Sequence, residues 1–163
     1  MDFSFVAEYV KKRPSNSKGF EFSVAEITTQ VGHVWYVQDV KEKYNFIEEF
    51  IAEAFFCNPF ESYLVTESSW SDRVDIPTWL LSLNITVVDS IVIYKILKNA
   101  IKDYQKSENY NVDNYLKLNS IDSPKNCWEI VETIDKRNPM GLTETYVFES
   151  DNLYHLIELH MES

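Results

Sequence analysis

Residues 126 to 160 read NCWEIVETIDKRNPMGLTETYVFESDNLYHLIELH, and the architecture is worked out from this stretch. Asn126 to Asp135 is rich in Trp, Ile, Val and Thr, residue types that suit a pleated, half-buried surface. Asn138-Pro139-Met140-Gly141 follows as a strong turn signal. Thr143 to Glu149 then alternates Thr143, Thr145 and Val147 with Glu144, Tyr146 and Phe148, the period of two that a strand requires. Ser150-Asp151-Asn152 joins it to a further run, Leu153 to His160. Together these predict an antiparallel meander of about three strands.

Working back toward the start, the periodicity changes. Phe46, Ile47, Phe50, Ile51, Ala54 and Phe55 place apolar pairs on one stripe of a helix. Asn45 is positioned to cap it, with Glu48 as the acid of a capping box, and Asn58-Pro59 stops it. A second helix is predicted from Val87 to Lys106, with Thr86 as N-cap. Its residues Val88, Ile91, Val92, Ile96, Leu97, Ala100, Ile101 and Tyr104 form a wide apolar face, which predicts a central position. Asp2 to Lys12 reads as a short helix, and Pro77 suits the first position of a helical turn over residues 77 to 83. Ser23 to Gly32 reads as a capped helix, because Ser23-Val24-Ala25-Glu26 has the spacing of a capping box. His33 to Val40 and Glu61 to Thr66 read as strands. The sum is an α+β fold: a helical N-terminal two-thirds packed on a C-terminal antiparallel meander of about three strands.

At 163 residues with 45% apolar composition, one globular domain spanning 1–163 has enough core without a metal or disulfide. The two cysteines, Cys57 and Cys127, form no C-x-x-C and suit a reducing compartment, so a cytoplasmic location is expected. Met1 to Arg13 interrupts its apolar residues with Asp2 and Glu8, unlike a secretory leader. Leu80 to Ile101 is broken by Asn84, Asp89, Lys95 and Lys98, so it fails as a membrane span.

Charge narrows the partner. The net charge is −11, opposite in sign to what a phosphate-backbone binder needs. The excess is local: residues 21 to 80 hold eleven acids against Lys41, Lys43 and Arg73, a balance of −8. Ser23 to Tyr36 resembles the opening of a helix-turn-helix only superficially, since no basic recognition helix follows.

Catalytic chemistry finds little support. His155 and His160 are five apart and so face opposite sides of a strand, and His33 is remote from both, so no metal set assembles locally. Cys57, after Phe55 and Phe56, reads as a small core residue. No Gly-x-Ser-x-Gly occurs, and three glycines leave little material for a phosphate-binding loop. Carboxylate pairs such as Glu48 with Glu49 and Asp72 with Asp75 would need a cleft to act in hydrolysis. A solvated helix face accounts for Glu48, Glu49 and Glu53. No catalytic residue, cofactor or metal is therefore assigned.

The most unusual stretch is Glu67-Ser68-Ser69-Trp70-Ser71-Asp72-Arg73-Val74-Asp75, an aromatic among acids without regular periodicity. Aromatic anchors ringed by charge are frequent at protein interfaces. Glu61, Glu67, Trp70, Asp72 and Asp75 are accordingly the candidate partner-binding residues.

A small, acidic, aromatic-rich α+β chain without a catalytic motif resembles the immunity proteins of bacterial polymorphic toxin systems, including those of contact-dependent inhibition. The resemblance is one of general character across the whole chain and carries no individual residue over. It implies a binding protein, not an enzyme, that neutralises a cognate and basic toxin domain in the cytoplasm by occluding its active site or an adjacent surface. The alternatives are an acidic regulatory module or nucleic-acid mimic, and, third, a carboxylate-dependent hydrolase.

Overall fold

The computed structural model describes residues 1–12, 23–29, 32–56, 76–105, 123–132 and 141–162. In chain order the elements are α1 (Ser4–Lys12), β1 (Ser23–Thr29), β2 (Gly32–Val40), a 3-10 turn (Lys41–Lys43), α2 (Ile47–Phe56), α3 (Ile76–Ser82), β3 (Leu83–Val88), α4 (Ser90–Gln105), β4 (Lys125–Glu132), β5 (Gly141–Glu149) and β6 (Leu153–Glu162). All six strands join one antiparallel sheet in the order β1-β2-β6-β5-β4-β3.

This organisation overturns the expected helical N-terminal two-thirds. Half of the sheet's strands, β1 to β3, precede residue 90, and β4, β5 and β6 lie inside the sheet, flanked by them on both sides. Two segments account for the difference. Ser23–Thr29 has the spacing of a capped helix, but it pairs along its whole length with β2, from Ser23 opposite Gln38 to Thr29 opposite Gly32. A capping box stabilises a helix by roughly 1 kcal/mol, which a full ladder of cross-strand bonds and packing outweighs. The predicted helix from Val87 likewise begins too early. Leu83–Val88 is β3, paired with β4, and α4 starts at Ser90. Asp89 rather than Thr86 caps it, its carboxylate accepting from the Ile91 amide at 2.8 Å and its carbonyl from the Ile93 amide at 3.0 Å.

The register fixes which residues share a face. Val37, Leu156, Val147, Trp128 and Val87 run across the sheet as one row of partners, and Glu158, Thr145, Ile130 and Ile85 as another. This face meets Phe3 and Val6, Phe50, Ile51 and Ala54 of α2, and Leu80 of α3, forming the main hydrophobic cluster. Alternation puts Cys127, Tyr146, Phe148, His155, Ile157 and Leu159 on the other face, and all are buried. Among the described helices, α4 lies along β4, β2 and β1 and buries Ile93 outside the first cluster. A bulge between Lys125 and Trp128 bends β4, and Asn126 there takes a positive φ of 40°, a conformation that Asn tolerates better than most side chains.

The start of α4 does not bury the predicted side: Ile91 and Val92 belong to the predicted face and Ile93 does not. Ile91 and Val92 are exposed while Ile93 is fully buried; the side chains of Ile96 and Leu97 fall outside the described set. Ile93→Ala is expected to cost about 2–5 kcal/mol, whereas Ile91→Ala stays within about 0.5 kcal/mol of the wild type. Urea titrations of the two variants check this, and equal losses would show that the buried side of α4 is misassigned. Among the described residues no helix is long and apolar enough to cross a membrane.

Candidate functional site

The five residues nominated from the sequence, Glu61, Glu67, Trp70, Asp72 and Asp75, lie outside the described residues, as does the strand expected over Glu61 to Thr66. Within the described surface, a different pairing of aromatic and acidic groups stands out, built where the N-termini of α1 and α2 meet.

Each helix start organises itself through a carboxylate. Asp2 accepts from the Ser4 amide at 2.9 Å and from the Ser4 hydroxyl at 2.7 Å, and the two bonds hold its carboxyl below the ordinary range, the Ser4 hydroxyl contributing most. Glu49 accepts from the Asn45 amide at 2.8 Å and also from the Asn45 side-chain amide. The back-bonding acid is thus Glu49 instead of the expected Glu48, because the helix begins at Ile47, one residue later than the stripe suggested. Glu48 is left to do something else. It accepts from the Asp2 amide at 3.0 Å and so ties the two helix starts together.

This one-residue shift has a consequence for Phe46. It no longer belongs to the buried stripe; it precedes the helix and stands 57% exposed, its ring 5.5 Å from that of Phe5 in an edge-to-face arrangement. Phe5 is itself 42% exposed. The two rings form a small exposed apolar spot, and Asp2, Glu48 and Glu49 each lie within three residues of one ring along the chain. Burying both rings on a partner would recover apolar area, which makes the pair a candidate contact. Glu53 departs from the solvated face predicted for it: it is buried, one turn further along α2.

A second constellation has catalytic residue types but a structural geometry. Ser150 Oγ lies 2.7 Å from His155 Nε2, the spacing of a nucleophile and its base. Both are buried, however, and the Ser150 amide donates to the Leu153 carbonyl at 3.0 Å, closing the β5–β6 turn. His155 also stacks on Phe148 with ring centroids 4.7 Å apart. Burial, and secondarily the Lys41 charge, push its imidazole down to about 3. It is a neutral core histidine.

Around the same turn Lys41 bridges to Glu149 at 2.8 Å and sits over the Tyr154 ring. Asp39, buried in β2, is satisfied by Lys43 at 2.7 Å and by the Tyr44 hydroxyl at 2.8 Å. The buried charge of Asp39 therefore has its partners, and the ring of contacts anchors the 3-10 turn to the sheet. Cys127 is buried, with its thiol pushed up to about 11 by burial first and then by Asp89 and Glu149, so it is no thiolate at neutral pH. Cys57 lies outside the described residues. The β2–β6 register sets His33 opposite His160, a pairing that sequence distance concealed. Among the described residues no group of three His, Cys, Asp or Glu side chains is placed to hold a metal ion.

Comparison with protein-family models, with curated proteins and with solved structures finds no match to this chain.

Proposed function

We propose that this chain is an immunity protein: it binds a cognate, basic toxin domain and neutralises it by covering its active site or a surface beside it. The observation that supports the reading is the exposed Phe5–Phe46 pair, with Asp2, Glu48 and Glu49 near it in sequence, on a chain of net charge −11. The charge draws a basic partner from a distance and accelerates encounter. The phenyl rings, buried on contact, then slow its departure. The acids of residues 61 to 75 with Trp70 extend the same reading as a further contact surface.

Growth protection tests the proposal. If the gene beside this chain's own encodes a large secreted protein, as the proposal expects, its C-terminal domain is induced in a bacterial host, with or without this chain. The wild type is expected to restore growth, while the Phe5→Ala, Phe46→Ala double variant protects poorly despite staying folded. Both rings are largely outside the core, so the double variant should remain folded. Failure of the wild type to protect, or full protection by the double variant, overturns the proposal or this surface respectively.

A further inference from the structure

The pairing of β2 with β6 brings two of the chain's three histidines, His33 and His160, to directly opposed positions. Their row continues to Thr28 on β1 and to Thr143 on β5. Alternation along β6 puts Glu158, His160 and Glu162 at successive positions of one face, so an acidic residue flanks the histidine on each side. It is the face that carries Val37 and Leu156 in the hydrophobic cluster. Outward from that pair, the next row holds Trp35 and Glu158, and the one after it holds the two histidines. Because β2 starts at Gly32 and β6 ends at Glu162, the histidine row lies at the end of the seam. The side chains of His33, His160 and Glu162 fall outside the described set; the backbone register is what brings these residues together.

We infer that His33, His160 and Glu162 bind one divalent transition-metal ion of the zinc, nickel or copper(II) kind. Directly opposed residues of an antiparallel pair have Cβ atoms about 5 Å apart. Two imidazole nitrogens on one tetrahedral ion stand about 3.3 Å from each other, given metal–nitrogen distances of about 2.0–2.1 Å. Rings that converge from such a pair of positions therefore span an ion without any movement of the strands. Imidazole selects this class of metal, since calcium and magnesium take shells of oxygen. Of the two acids on β6, placement favours Glu162 as the third ligand. Glu158 is 4% exposed and already accepts from the Thr145 hydroxyl at 3.5 Å, on the side toward the hydrophobic cluster. Glu162 stands at the end of the seam, where solvent supplies the fourth ligand.

The net charge of −11 adds a long-range attraction for a cation. An ion shared by β2 and β6 ties together strands from the two ends of the chain, so it stabilises the folded state. The inference is independent of the toxin-binding reading, and the failure of either leaves the other standing.

Isothermal titration calorimetry of zinc chloride into the whole, metal-stripped chain at about pH 7.5, above the ordinary histidine value, tests it. One ion per chain is expected, with a dissociation constant on the order of 1 µM. His33→Gln and His160→Gln each weaken binding about a hundredfold, because the remaining imidazole loses its intramolecular advantage. Glu162→Gln costs at least the roughly tenfold that loss of an outer-shell partner costs. In parallel, long-range proton–nitrogen spectra of the imidazole rings are recorded on the wild type, which requires no variant to fold. Zinc is expected to shift the ring nitrogens of His33 and His160 and to leave those of His155, on the opposite face of β6, in place. Binding weaker than about 100 µM overturns the inference. So does zinc binding that both histidine variants leave intact, or a spectrum in which the rings of His33 and His160 do not shift. An affinity unchanged by Glu162→Gln overturns that residue's place among the ligands.

Discussion

Phe50→Ala is expected to lower the unfolding free energy by about 3–5 kcal/mol, enough to leave a domain of ordinary stability marginal. The side chain is fully buried and connects two layers. Its ring lies 5.6 Å from Tyr44 at the end of the 3-10 turn and 5.5 Å from Tyr154 on β6. Those tyrosines in turn bind Asp39 and face Lys41. Truncation therefore removes the transfer free energy of one large ring and leaves a void that neighbours held by polar bonds cannot close. Chemical denaturation followed by tryptophan fluorescence measures the loss. A change below about 1 kcal/mol would mean that α2 does not pack on the sheet as described.

His155 provides the second large effect, and it depends on pH. In the folded chain its imidazole is held down to about 3, whereas in the unfolded chain it titrates near 6.5. Between those values the unfolded state binds a proton that the folded state refuses. Stability is therefore intact above about 6.5 and falls as the pH drops, by up to about 1.4 kcal/mol per unit. From pH 7.5 to pH 5 the loss from this one group amounts to about 2 kcal/mol, in a range where most carboxylates remain ionised. His155→Gln removes the titration while keeping a polar group near Ser150. The variant is expected to be less stable at pH 7.5, with its deficit shrinking by about 2 kcal/mol at pH 5. Parallel stability curves for wild type and variant would show that His155 takes up its proton without unfolding the chain.

The segments legible in the sequence are those where local pattern and long-range pairing agree. Thr143 to Glu149, with its period of two, and the run Leu153 to His160, joined to it by Ser150-Asp151-Asn152, form β5 and β6. They do so with both faces buried, because helices cover the sheet on each side. Ser23–Thr29 is the opposite case: its polar start mimics a helix cap, and only pairing with β2, which the sequence does not display, makes it a strand. Val87 and Val88 fit either a strand end or a helix start, and the pairing of β3 with β4 decides between them.

The candidate surface was hidden for a similar reason. Phe46 falls on the apolar stripe of α2 by spacing alone, and it is exposed only because the helix starts one residue later and Glu49, not Glu48, reaches back to Asn45. A shift of this size lies below what periodicity resolves. The acidity of the chain was plain from composition. That Phe5 and Phe46 meet, with the Asp2 amide bonded to Glu48 46 residues away, depends on long-range contact that local pattern does not display.

The proposed function is tested most directly by the binding kinetics of this chain with the immobilised toxin domain that the proposal expects beside its gene, measured at two salt concentrations. Electrostatic steering predicts that association slows as salt rises while dissociation changes little. Burial of an aromatic anchor predicts that Phe46→Ala accelerates dissociation about 30-fold, equivalent to about 2 kcal/mol, with little effect on association. Asp72→Lys and Asp75→Lys, in the same assay, are expected to lower the association rate instead. Binding whose rates are indifferent to salt, to Phe46→Ala and to both charge reversals would contradict the account.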